Sequence, residues 1–245
     1  LVSTVLGASA VLGLAVLLVT PTAGQGPSLD LLSADGRRTL PLTVLNEREF
    51  VALDDLASAF GLTVREEARA ITIAARGGTI VLNPNQPLAS VAGRLITLPA
   101  APARSNGRIV VPLEFISRAL APVYDTALDL RRESRLLVIG PLRVPRVVIG
   151  QEPLTNAARL TIDTTPATAS AVAQDGERLT LRFDADALDL ALPGTLPTGF
   201  VRGIRAIDAV TLAIDLGPRF AAYRAAPPTP GDGRRTLDLL SLTAD

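Results

Sequence analysis

The chain has 245 residues, 48% of them hydrophobic, enough for one or two packed cores and too apolar for wholesale disorder. Its 24 basic residues, all arginine, balance 24 acidic ones, which argues against a nucleic-acid binder. With no cysteine and no histidine, disulfides, thiolate or Ser–His catalysis and sites ligated by those residues are excluded.

Leu1 to Val19 is almost wholly apolar, and the first charge is Asp30. Val5–Val19 suits the hydrophobic stretch of a signal peptide, with Thr22-Ala23-Gly24 as its cleavage site. The alternative is a retained membrane anchor, since the run nears the ~20 residues that span a bilayer. Residues 1–25 are therefore expected to direct export, with membrane contact only through this segment if it stays uncleaved.

Leu29–Leu32 and Thr39–Val44 read as strands around the turn Ala34-Asp-Gly-Arg37. Next, Phe50-Val-Ala-Leu-Asp-Asp-Leu-Ala-Ser-Ala-Phe-Gly61 reads as strand, break and amphipathic helix, with Gly61 as the stop. The pattern returns 60 residues on: Val111, Leu113, Glu114, Ile116, Ala119 and Leu120 match Val51, Leu53, Asp54, Leu56, Ala59 and Phe60. Ala70–Ala74 after the first copy and Arg135–Ile139 after the second are strands, so an internal strand–helix–strand repeat is expected. Thr79–Leu82 is a further strand, and a hairpin turns near Gly93.

The segment Gly107-Arg-Ile-Val-Val-Pro-Leu-Glu-Phe-Ile-Ser-Arg-Ala-Leu120, its downstream Tyr124-Asp125 and the closing Leu136–Gly140 resemble the copper amine oxidase-like N-terminal, or stalk, domain of secreted bacterial proteins. Ser90–Pro99 looks like that family's central hairpin. Two positions depart from the family pattern: Ala92 stands where Asn is common and Pro122 where a helix-ending Gly is common. The resemblance covers residues 29–140 and implies a small α+β adaptor, not an oxidase.

Pro141–Pro145 reads as a linker, after which helical periodicity gives way to alternating strands. In Arg159–Asp163, Leu160 and Ile162 face one way; in Arg178–Phe183, Leu179, Leu181 and Phe183 do. Leu212-Ala-Ile-Asp215 repeats Leu160-Thr-Ile-Asp163 at an offset of 52, Pro218 repeats Pro166 at the same offset, and Thr236–Leu239 closes the set. Two half-domains of amphipathic strands predict an all-β sandwich over residues 146–245. Arg159-Leu-Thr-Ile-Asp163 with Pro166, and Val210–Pro218, resemble the AMIN domain of periplasmic amidases and secretion pores.

Stalk-type then AMIN-type domains imply the non-catalytic front of an N-acetylmuramoyl-L-alanine amidase, with a zinc domain expected beyond Asp245 in a longer protein. The chain itself is read as no enzyme and as needing no cofactor. Its expected partner is peptidoglycan in the periplasm or cell wall; the alternative is a structural component of an envelope secretion or pilus assembly. Arg159, Thr161 and Asp163 on one outward strand face, with Arg178 and Arg182 on a neighbouring strand, are the candidate wall-binding residues, because guanidinium groups pair well with muramic and stem-peptide carboxylates. The bland reading is an ordinary solvated face of cross-strand Arg–Asp pairs. Asp54 and Asp55 belong to a helix's first turn, and Asp184, Asp186 and Asp189 to a solvated loop; neither group is expected to be catalytic.

Overall fold

The computed structural model describes residues 26–67, 70–196, 199–227 and 231–241. The export segment predicted for residues 1–25 lies outside them, and no helix among the described residues is long and apolar enough to cross a membrane. Strand dominates, in four sheets.

The first region begins with β1 (Ser28–Ser33), β2 (Gly36–Leu45) and β3 (Arg48–Ala52), an antiparallel meander. Helix α1 (Leu53–Phe60) follows, buries Leu53, Leu56 and Phe60, and stops at Gly61, whose φ of 63° is the left-handed conformation a glycine tolerates. β4 (Thr63–Glu67), β5 (Ala70–Ala75), β6 (Gly78–Leu82), β7 (Leu88–Val91) and β8 (Arg94–Thr97) form a five-stranded sheet in sequence order. β9 (Ala103–Ser105) and β10 (Arg108–Pro112) return to the edge of the first meander, and β11 (Leu128–Arg131) and β12 (Leu136–Ile139) complete its far side, in the order β11-β12-β1-β2-β3-β10-β9. One core lies between the two sheets, drawing Leu29, Val51 and Val111 from one, Ile71, Ile73 and Ile80 from the other, and Leu56 and Ile116 from the helical segments.

The predicted repeat is realised in its leading strands only. β3 and β10 pair with Val51 opposite Val111, the two residues equated by the offset of 60, so a local dyad runs through this pair. The segment after β10 is no α-helix: a π-helical turn, Ile116–Leu120, runs into a 3₁₀ turn, Ala121–Val123. The Ala121 N–H bonds the Ile116 carbonyl five residues back, and Pro122 has no N–H with which to continue. The strands that follow also part company, since β4 and β5 join the five-stranded sheet whereas β11 and β12 join the seven-stranded one.

Residues 141–145 are a packed strap. Val144 is buried against Leu136, Val138 and Ala187, and the carbonyls of Arg143 and Pro145 accept the amides of Asp186 (2.9 Å) and Asp189 (3.0 Å).

The second region contains β13 (Arg146–Leu154), β14 (Ala157–Thr165), β15 (Ser170–Asp175), β16 (Arg178–Phe183), β17 (Asp189–Ala191), β18 (Val201–Ala206), β19 (Thr211–Leu216), β20 (Ala222–Ala225) and β21 (Arg234–Leu240). They build two sheets, β17-β13-β14-β21-β20 and β15-β16-β19-β18, which share a core of Leu160, Ile162, Leu181, Ile214 and Leu237 among others. The offset of 52 equates β13 with β18 and β14 with β19, and the hairpin β15–β16 occupies the place of β20–β21. Each sheet therefore joins the leading hairpin of one half to the trailing hairpin of the other: β14 pairs with β21, and β16 with β19. Gly233 is dictated by this exchange, because a Cβ there would collide with the carbonyl oxygen of Thr164.

Candidate functional site

Alternation along β14 sends Leu160 and Ile162 into the core and leaves Arg159, Thr161 and Asp163 on the outer face. Alternation along β16 does the same for Arg178 and Arg182 around Leu179, Leu181 and Phe183. The neighbour relation expected between these strands does not hold. β14 lies between β13 and β21, β16 lies between β15 and β19, and the two belong to different sheets. Arg159, Thr161 and Asp163 thus face away from the sandwich on one side, and Arg178 and Arg182 on the other. The reason is the exchange of hairpins, which sends the chain across to the second sheet between Thr165 and Ser170.

On the first face, the Arg159 fork donates from Nε (2.7 Å) and Nη2 (3.1 Å) to the two carboxylate oxygens of Asp238, its register partner on β21. Arg234 Nε donates to Asp163 Oδ1 at 2.7 Å, again directly across the ladder. Thr161 stands opposite Thr236. On the second face, Arg178 Nε donates to Asp215 Oδ1 at 2.7 Å, and Arg205 Nε reaches Asp215 Oδ2 at 3.3 Å. Arg182 lies opposite Thr211, and its charge helps hold the nearby Asp208 carboxyl low, behind the larger effect of the Val210 amide.

Asp163 and Asp215 are the equivalent acids of the two repeated strands, and each receives an arginine from the opposite half. Hydrogen bonding to Arg178 holds the Asp215 carboxyl below the usual range, and Arg159 does the same for Asp238. Sequence reasoning missed Arg234, Asp238 and Arg205. The alternation of Thr236-Leu-Asp-Leu239 carries the signal for Asp238, but only the strand order reveals which residue it meets.

In the first region Arg108 grips the start of α1, donating from Nε (2.9 Å) and Nη2 (2.6 Å) to Asp54, with Asp55 alongside. This bond lowers the Asp54 carboxyl and raises the guanidinium. Both carboxylates are structural here.

The solvated-loop expectation holds for Asp184 and Asp186 and needs correction at Asp189. Asp184 and Asp186 are exposed and bind Arg143, the first through Nη1 (3.1 Å) and the second through the backbone N–H (2.7 Å). Asp189 opens β17, is buried, and accepts Arg131 Nη1 from β11 at 3.2 Å. A carboxylate at that position is buried because an arginine of the first region neutralises it. The first and second regions are thereby joined by an ion pair beside the apolar contact of Leu136, Val138, Val144 and Ala187.

Residues 37–125 match the family model of the copper amine oxidase N-terminal domain. No curated protein and no solved structure matches the chain. The match covers β2 and β3, α1, the five-stranded sheet, β9, β10 and the π-helical turn, and it supports a non-catalytic, stalk-like unit there. Copper takes imidazole, thiolate or thioether donors, and the sequence holds no histidine, cysteine or methionine. Among the described residues no group of three Asp or Glu side chains is gathered for a metal. The donor set does not fit copper.

Proposed function

We propose that this chain is a non-catalytic binding and positioning module of the bacterial cell envelope, the front region of an exported N-acetylmuramoyl-L-alanine amidase, whose second unit contacts peptidoglycan. The observation that carries the reading is the joint between the units. A buried Asp189–Arg131 pair and an apolar seam hold a stalk-like unit against a sandwich, an arrangement suited to presenting one body on another. The resemblance of Arg159–Asp163 and Val210–Pro218 to AMIN strands supports wall contact by the sandwich. Because its charged groups stand on opposite faces, a glycan strand or stem peptide meets one set at a time: Arg159 with Thr161 and Asp163, or Arg178 with Arg182. Carboxylates of the wall would compete with Asp238 and Asp215 for the guanidinium groups, so binding is weak and sensitive to salt.

Co-sedimentation of the whole chain with purified sacculi tests this. Wild type should pellet at 0.1 M salt and be released at 1 M, as the Debye length falls from about 10 Å to about 3 Å. Of two variants, Arg159→Ala/Thr161→Ala and Arg178→Ala/Arg182→Ala, the one that removes the contacting face should stay in the supernatant. Wild type remaining in the supernatant at 0.1 M salt would rule out wall binding by this chain.

A further inference from the structure

The two halves of the sandwich differ at one place. Ile162-Asp-Thr-Thr-Pro-Ala-Thr168 aligns without a gap on Ile214-Asp-Leu-Gly-Pro-Arg-Phe220. In the second half, Leu216 is part of the core, Phe220 packs against it, and Arg219 lies over the Phe200 ring at 4.7 Å. In the first half the equivalents are Thr164 and Thr168, two smaller side chains. Thr164 Oγ1 is turned to the Gly233 carbonyl (2.9 Å) and accepts the Thr168 amide (3.0 Å). Where the second half is filled by its own aromatic ring, the first half leaves a hollow of about 270 Å³ floored by Ile162 and Phe183, walled on one side by Ala167, Thr168 and Ala169 and on the other by residues 231–235.

The hollow adjoins a sheet edge on which no other described strand pairs. β15 ends its sheet, and its pairing with β16 across the turn Gly176-Glu177, together with the Asp184 N–H to Ala169 carbonyl bond (3.0 Å), fixes which groups point where. Residues 169, 171, 173 and 175 bond inward, so the N–H and C=O groups of Val172 and Gln174 face outward. This edge lacks the arginines of β18 and β20 and has no proline, the usual devices that discourage strand addition. Arg235 borders the hollow and is engaged with the carbonyls of Ser170 (2.6 Å) and Ala226 (3.4 Å).

We infer that this end of the sandwich binds an extended peptide, which adds a strand to β15 through Val172 and Gln174 and inserts one aliphatic or aromatic side chain into the hollow that Phe220 fills in the other half. Main-chain bonds supply affinity and the hollow selects the residue. The inference stands apart from wall binding, since it uses neither outer face.

The test is titration of the ¹⁵N-labelled chain with capped heptapeptides Thr-Val-Thr-X-Thr-Val-Thr. Amide shifts should appear at Ala167–Ser170, Val172 and Gln174, and X = Phe or Leu should bind at least about tenfold more tightly than X = Asp. Thr168→Phe copies the residue of the other half; it should keep the wild-type circular dichroism and lose the Phe peptide by a similar factor. Val172→Pro, which removes an outward N–H, should weaken every peptide. Absence of shifts with the Phe peptide at millimolar concentration in wild type would overturn the inference, as would unchanged binding by a folded Thr168→Phe chain. Equal affinity for N-acetyl-phenylalaninamide and the Phe heptapeptide would overturn the strand addition.

Discussion

In the first region a single arginine, Arg108, ties a strand to the start of the only α-helix described, and a large mixed core beneath it does most of the holding. In the second region the core is similar in kind, but each sheet is also stitched across its middle by arginines that come from the other half of the duplication. The difference follows from connectivity. A duplicated unit whose copies meet at one strand pair, as at Val51 and Val111, can let its flanks diverge into α-helix and π-helical turn. Copies that exchange hairpins cannot diverge so freely, because each strand's neighbours belong to its counterpart.

Core truncation has the largest expected effect on this comparison. Leu56→Ala in the first region and Leu160→Ala in the second each remove a fully buried side chain, and each should cost roughly 2–5 kcal/mol in urea unfolding. The two tyrosines report separately, Tyr124 edge-on to Phe60 in the first region and Tyr223 beside the second core, while the sequence has no tryptophan to obscure them. Fluorescence of Tyr124→Phe and Tyr223→Phe backgrounds should show each truncation lowering its own region's midpoint most. Equal shifts at both probes would mean that the regions unfold as one.

The joint is the next target. Asp189→Ala removes the partner that Arg131 has in the second region, leaving it only Asp129 of its own strand, and should cost about 1–3 kcal/mol while moving the two tyrosine midpoints apart. Coincident midpoints in this variant would show that the apolar seam alone couples the regions.

Acid should have the smallest effect. Asp54, Asp215 and Asp238 all have folded-state values below the ordinary one, the first through Arg108, the others through Arg178 and Arg159. Such depressed groups stabilise fully above about pH 4 and lose that contribution as pH falls through their lower folded values. Tm should therefore hold from pH 7 to about pH 5 and decline below pH 4, and Asp215→Asn with Asp238→Asn should flatten that decline. A Tm that rises on acidification through this range would contradict the ion-pair assignment.

Much of the strand pattern was legible, because alternation at Leu160/Ile162 and Leu179/Leu181 reports which side is buried. The duplications were legible too, through residues matched at constant offsets. What the sequence withheld was strand order. Nothing local to Arg178 says that its neighbour is β19 and not β14, and the candidate residues were consequently grouped on one face when they lie on two. Asp189 was misread for a related reason: it looks like one more acid in a charged stretch until a distant arginine is brought to it. The shortened helix at Ile116–Leu120 was masked because its apolar spacing is helical even though Pro122 ends the hydrogen bonding.

The exchange of hairpins also sets a timetable for synthesis. When β14 leaves the ribosome its β13 neighbour is already present, but its other neighbour, β21, ends roughly 75 residues later. At about 5–20 residues per second, the open side of β14 waits on the order of ten seconds for its partner. Throughout that interval the nascent chain carries an unpaired strand edge, the feature most prone to pairing with a neighbouring chain. Arg159 and Asp163, still without their final partners, are then the charges that keep this edge soluble until the last hairpin arrives.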